Sequence, residues 1–183
     1  MTGFCDALAD VGFATWNLEY RRVGAGGGYP ATLDDVAAAC RALTRGGAVA
    51  VGHSAGGHLA LWLASEGLIG GAVALGAVCD LGAAARDRLG NGAALDLMGA
   101  ARDEDWLRAD PIRRLPTGRP TVLVHGTRDD TVPVEQACTY AAAAHAAGDR
   151  CELVELDCGH FEPIDPRSSA WPHVVAALSS VAR

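Results

Sequence analysis

Apolar runs alternate with amphipathic stretches along this chain. The apolar, partly β-branched runs predict buried strands over residues 48–51, 71–78, 121–124 and 151–156. Amphipathic stretches predict helices over residues 2–11, 32–45 and 133–147, after the serine at 54, and from Trp171 onwards. Phe13–Arg21, rich in aromatic and β-branched residues, predicts a further strand. The alternation indicates one α/β domain over residues 1–183, a mainly parallel sheet with helices on both faces.

Gly52-His53-Ser54-Ala55-Gly56 lies between a predicted strand and a predicted helix and matches G-x-S-x-G. In this context the pattern predicts a nucleophile elbow, a sharp turn that exposes the Ser54 hydroxyl. We expect glycine at 52 and 56 because a Cβ at either position would collide with the neighbouring strand or helix. Ala55 begins the helix, so its free N–H is placed to bind an oxyanion. The alternative is a Gly-rich turn whose serine takes no part in chemistry.

Two further polar residues lie just beyond predicted strands. Asp129 follows the strand at 121–124, and His160 follows the last strand. Because working residues of a parallel sheet lie beyond the carboxyl ends of its strands, we expect both near Ser54. A serine becomes nucleophilic when a base takes its proton and an acid orients that base. Asp130 is the alternative acid; otherwise it is a turn residue.

Three segments resemble the signature regions of the α/β-hydrolase superfamily. The segments are residues 51–59, 123–133 and 159–161. The order Ser54, Asp129, His160 is that superfamily's order of nucleophile, acid and base. Within the superfamily the segments are most similar to small esterases and kynurenine formamidase-like amidases. The resemblance implies a serine hydrolase that cleaves a small carboxylic ester or amide through an acyl-enzyme intermediate.

The chain departs from the superfamily's pattern at its front. That pattern has strands before the first helix predicted here, and one ends in a His-Gly-Gly segment that supplies a second oxyanion N–H. No His-Gly-Gly occurs in this sequence. We therefore expect an α/β-hydrolase fold lacking its first strands, with Met1 an internal methionine of a longer hydrolase. The alternative function is then a non-catalytic remnant, at most a binding module.

Residues 79–119 interrupt the regular alternation. Their pattern predicts short helical pieces around residues 93–100 and 104–109, followed by a proline-rich stretch. Because this segment follows a strand at the same end of the sheet as Ser54, we expect a small lid-like insertion over the nucleophile.

Composition restricts the remaining possibilities. All 15 basic residues are arginine, and the absence of lysine excludes a Walker phosphate loop and Schiff-base chemistry. The net charge of −7 argues against nucleic acid or an anionic membrane as partner. Six scattered cysteines and no secretory signal indicate free thiols in the cytoplasm. We expect no cofactor and no metal, because a site built on Cys158 and His160 would lack further ligands.

Overall fold

The computed structural model describes residues 1–43 and 47–182. Strands β1 to β4 are Val49–His53, Gly71–Leu75, Thr121–Gly126 and Cys151–Leu156. Helices α1 to α8 are Thr2–Asp10, Ala31–Ala42, Ala55–Ser65, Leu81–Arg86, Leu89–Met98, Asp103–Ala109, Glu135–Ala146 and Trp171–Val181. The four strands form one parallel sheet in the order β1-β2-β3-β4. The predicted α/β fold class is therefore confirmed.

The sheet has a hydrophobic core on each face. The first core lies against α2, α3 and α7, and the second lies against α1 and α8. Strand β2 contributes to both, because alternate residues of a strand point to opposite faces. Its Ala72 and Ala74 belong to the first core, whereas Val73 and Leu75 belong to the second. Burial on both faces explains the continuous apolar run that predicts this strand.

The prediction of a strand over Phe13–Arg21 is wrong. This segment pairs with none of the four described strands. Phe13 packs against the second core, whereas Leu18 and Tyr20 pack against the first. Aromatic and β-branched residues favour any half-buried extended backbone. A strand also needs a neighbour for its backbone hydrogen bonds, and that neighbour cannot be inferred from residue type.

Helix α2 begins at Ala31, one residue before the predicted start at residue 32. The Thr32 hydroxyl, in the first turn, donates a hydrogen bond to the Arg21 carbonyl at 2.7 Å. The Arg21 N–H donates to the Asp35 carboxylate at 2.9 Å. These bonds tie the end of the preceding segment to a helix rather than to a strand. The helix ends at Ala42, and Arg45, the predicted end, lies outside the described residues.

Residues 79–119 contain α4, α5, α6 and the 3₁₀ turn Pro111–Arg114. The pattern does not predict α4, a six-residue helix whose N-terminus is capped by Asp80. The Asp80 carboxylate accepts the Ala83 N–H at 2.7 Å. Residues 90–92 in α5 have positive φ, so its regular part begins near residue 93, as predicted.

Two side chains of α3 hold this segment in place. His58 Nε2–H donates to the Ala109 carbonyl at 2.9 Å, and Trp62 Nε1–H donates to the Arg108 carbonyl at 3.0 Å. Burial lowers the pKa of His58 to about 4, because an imidazolium there would lose its hydration. The ring is therefore neutral at pH 7.

Protonation of His58 should destabilise the fold at acidic pH. The unfolded chain binds a proton below the ordinary pKa of 6.5, whereas the folded chain excludes it down to about pH 4. The free energy of unfolding therefore falls as pH drops through this window. At about 1.4 kcal/mol per pKa unit, the expected loss is on the order of 3 kcal/mol.

Urea titrations at pH 7 and pH 4 on the wild type and on H58Q measure this loss. Glutamine keeps an N–H for the Ala109 carbonyl but does not titrate, so H58Q should lose much less stability than the wild type. Equal losses in the two proteins would contradict the prediction.

Candidate active site

Ser54 lies at the turn between β1 and α3. Its φ of 56° and ψ of −119° form a conformation that a residue with a Cβ rarely adopts. The Ser54 N–H donates to the Leu75 carbonyl of β2 at 2.9 Å, and its carbonyl accepts the Gly57 N–H at 2.9 Å and the His58 N–H at 3.1 Å. Bonds on both sides hold the strained turn. This is the sharp strand-to-helix turn that the sequence pattern predicts.

The expected collision of a Cβ at the glycines of the turn is confirmed at Gly52 and wrong at Gly56. A Cβ at Gly52 would lie 1.9 Å from the Gly56 carbonyl oxygen, so no side chain fits there. A Cβ at Gly56 would meet no atom within 4 Å, so the expected collision at this position is wrong. The second close approach is at Gly57, where a Cβ would lie 2.5 Å from the Ala77 Cβ. Of the two glycines at the start of α3, Gly57 and not Gly56 therefore faces the end of β2.

Asp129 and His160 lie on the loops after β3 and β4 and form a buried pair. His160 Nδ1–H donates to Asp129 Oδ2 at 2.7 Å, with side-chain exposures of 3% and 0%. Asp129 Oδ1 accepts the backbone N–H groups of Thr131 and Val132 at 2.9 and 2.8 Å. These donors stabilise a buried carboxylate. The proton on Nδ1 leaves Nε2 of the neutral ring as an acceptor.

Two glycines at strand ends make room for this pair. A Cβ at Gly76, just beyond β2, would lie 3.1 Å from Asp129 Oδ2 and 3.2 Å from His160 Nδ1. A Cβ at Gly126, the last residue of β3, would lie 2.3 Å from the Cys158 carbonyl oxygen. The sequence analysis did not identify either residue. The available signal was a glycine at the carboxyl end of each central strand.

Two other histidines brace the loops that carry His160 and Asp129. His125 Nε2–H donates to the Val132 carbonyl at 2.8 Å and lies 3.4 Å from Asp129 Oδ2. His53 Nε2–H donates to the backbone carbonyl of His160 at 2.8 Å. Burial lowers the pKa of His53, because the charged ring would lose water contacts.

The remaining predicted residues also lie at this edge of the sheet. The Ser54 hydroxyl makes no hydrogen bond to any other described residue, so the structure does not join it to His160 Nε2. In unliganded enzymes this bond is often long and shortens only with substrate. Ala55 is the first residue of α3, where N–H groups lack partners within the helix. Asp130 is exposed and accepts the hydroxyl of the next residue at 3.2 Å, whereas Asp129 contacts His160.

The parallel sheet with this turn and these loops defines an α/β-hydrolase fold, and the chain is a member of that superfamily. More specifically, residues 19–166 match the prolyl oligopeptidase family, to which the chain belongs. This places it among the serine hydrolases. No curated protein sequence matches the chain.

Similar solved structures include three hydrolases. The acetyl ester-xyloside bifunctional hydrolase from Caldicellulosiruptor lactoaceticus is 22% identical with a TM-score of 0.77, over 95% of this chain and 72% of that one. A truncated carbohydrate esterase from gut microbiota is 18% identical with a TM-score of 0.78, over 96% and 76%. Thermogutta terrifontis esterase 2, phosphoramylated by tabun, is 23% identical with a TM-score of 0.75, over 96% and 73%.

At these identities the likeness shows the fold alone. The resemblance to kynurenine formamidase-like amidases stays a prediction. Across residues 1–43 and 47–182, no helix has the length and apolar character needed to cross a membrane.

The close approach at Gly57 predicts different effects for two neighbouring substitutions. G57A places a Cβ 2.5 Å from that of Ala77 and must displace α3, at an expected cost of about 1–3 kcal/mol in the free energy of unfolding. G56A meets open space and should change that free energy by less than about 1 kcal/mol. Chemical denaturation of both variants measures the difference. Equal destabilisation would contradict the assignment of the close contact to Gly57.

Proposed function

We propose that the protein is a serine hydrolase that cleaves a small carboxylic ester or amide, with Ser54 as nucleophile, His160 as base and Asp129 as acid. One observation carries the proposal. The buried hydrogen bond between His160 and Asp129 lies at the same sheet edge as the strained turn of Ser54. Strain of this kind concentrates at functional sites. The family and the esterase neighbours agree with this class of reaction.

In this mechanism His160 Nε2 removes the hydroxyl proton as Ser54 Oγ attacks the substrate carbonyl. The buried Asp129 carboxylate holds the ring in the Nδ1–H tautomer and stabilises the imidazolium that forms. His160 then gives the proton to the departing alcohol or amine, leaving an ester between Ser54 and the acyl group. A water molecule, activated by the same ring, hydrolyses that ester and frees the serine.

The Ala55 N–H is the proposed oxyanion donor. It lies one residue after the nucleophile at the positive end of α3, where partial charge from unpaired N–H groups favours an anion. The second donor is not assigned, because the sequence contains no His-Gly-Gly. Loss of one such donor costs on the order of 10²–10³ in kcat.

The second candidate function is a binding module that retains the three residues without turnover. In such a module the Ser54 hydroxyl would make no hydrogen bond to His160, and none is present among the described residues. Covalent labelling and turnover distinguish the two candidates.

Residues 79–119 are proposed to shape the substrate site as a lid-like insertion. Their beginning and the loop after β3 border a cleft of about 100 Å³, lined in part by Asp80, Leu89 and Pro133. Gln136 fixes this wall, since its Oε1 accepts the Cys79 and Asp80 N–H groups at 2.9 and 2.8 Å. Both bordering segments follow strands at the edge that carries Ser54.

The nucleophile is tested with S54A. Losing a triad serine costs on the order of 10⁶ in kcat, so p-nitrophenyl acetate hydrolysis should fall to background. A fluorophosphonate probe should label the wild type and not S54A. The matched control is S179A, whose hydroxyl in α8 only donates to the Val175 carbonyl at 2.8 Å. Activity retained in S54A would refute the assignment, and labelling without turnover would favour the binding module.

The acid is tested by comparing D129N with D130N. In D129N the carbonyl oxygen of the new amide can still accept the loop N–H groups, but its NH₂ group faces His160 Nδ1 and forces the proton to Nε2. The wrong tautomer should cost about 10⁴ in kcat with the fold intact. D130N changes an exposed carboxylate and should cost less than about tenfold, since the loss of one exposed contact is small. The reverse ranking would transfer the role to Asp130.

A further inference from the structure

His53 joins the end of β1, next to Ser54, to the loop that carries His160. It is the last residue of β1, and its Nε2–H donates to the His160 carbonyl at 2.8 Å. The two imidazole rings have centroids 4.4 Å apart at an interplanar angle of 48°. The ring of Phe161 lies 5.7 Å from that of His53. His53, the residue between Gly52 and Ser54 in the G-x-S-x-G motif, therefore contacts the proposed base directly.

The bond from His53 holds this loop at His160 itself. Beyond β4, Arg128 bonds the backbone carbonyls of Asp157 and Cys158, at 2.8 and 3.0 Å. The next bond along the loop is the one that His53 makes to the His160 carbonyl. Asp129 holds only the Nδ1 side of the His160 ring, and Ser54 does not hold the other side. A ring bonded at one atom can still shift with its backbone. The bond from His53 fixes that backbone.

We propose that His53 is a positioning residue that holds the His160 loop against Ser54. The inference rests on the proposed function for its catalytic consequence. This positioning role requires a neutral N–H donor at position 53; an aromatic ring without a donor would not fulfil it. The proposal gives His53 a role in the site, in addition to Ser54, Asp129 and His160.

The surroundings of His53 suit a neutral donor. The titratable groups around it are His160, Asp129 and His125, and burial is the largest cause of its lowered pKa. His160 becomes an imidazolium during the reaction, and a second positive ring beside it would oppose that charge. A neutral ring at 53 holds the loop without this repulsion.

Three variants test the role. H53F keeps an aromatic ring beside His160 but has no donor, whereas H53Q keeps an N–H and loses the ring. The matched control is H145F. His145 lies on α7, and its Nε2–H also donates to a backbone carbonyl, that of Cys151 at 2.6 Å. For each variant, kcat and KM with p-nitrophenyl acetate and the rate of fluorophosphonate labelling are measured.

Loss of one positioning hydrogen bond should lower kcat and the labelling rate of H53F about tenfold, with KM unchanged. H53Q should recover to within about threefold of the wild type, since its amide can still donate. H145F should match the wild type. A merely structural role would instead change stability and leave kcat of the folded fraction unaltered. H53L, the second variant without a donor, replaces H53F should that variant not fold.

A second measurement does not depend on turnover. The low-field ¹H NMR signal of His160 Nδ1–H, bonded to Asp129, reports how firmly the ring is held. It should persist in the wild type, H53Q and H145F and should broaden or vanish in H53F. If it persists in H53F, or if H53Q is as impaired as H53F, the inference is overturned. A wild type that is neither labelled nor active would refute the proposed function while this signal still tests the positioning.

Discussion

The close approach of α3 to the ends of β1 and β2 is the constraint on which the site depends. Gly52 lies against the Gly56 carbonyl, and Gly57 lies against Ala77, so the helix starts within van der Waals contact of the sheet. Ser54 must then turn with a positive φ, held by bonds to β2 and to the first turn of α3. Because the strands are parallel, the loops after β3 and β4 arrive at the same edge.

Buried polar groups at this edge are paired, largely with the backbone. The Asp129 carboxylate accepts two backbone N–H groups and the His160 ring. Outside this pair, four histidines each donate from Nε2 to a backbone carbonyl of another segment. They are His53, His58, His125 and His145. The rings of His53, His58 and His125 reach segments that the sheet's own hydrogen bonds do not, and buried groups so paired add order at little cost. His145 is exposed, and its partner carbonyl belongs to β4.

The two edges of the sheet differ in chemistry. The outer strand β4 carries exposed Glu152 and Glu155, and charged side chains of this kind discourage pairing with another strand. The outer strand β1 carries the uncharged Val49, Ala50 and Val51, all half-buried. The segment at residues 13–21 pairs with neither edge strand. It is held by the two cores and by α2 instead.

The sequence alone determined the elements whose signal is local. Strands buried on both faces appear as apolar runs, and the G-x-S-x-G pattern between strand and helix predicts the sharp turn at Ser54. The rule for parallel sheets then predicts which strand ends carry Asp129 and His160. Only the tertiary structure decided which glycine faces Ala77, that the segment around Leu18 has no strand partner, and that His53 contacts the His160 loop. Each of these depends on distances between segments far apart in the chain, and residue type and spacing do not encode such distances.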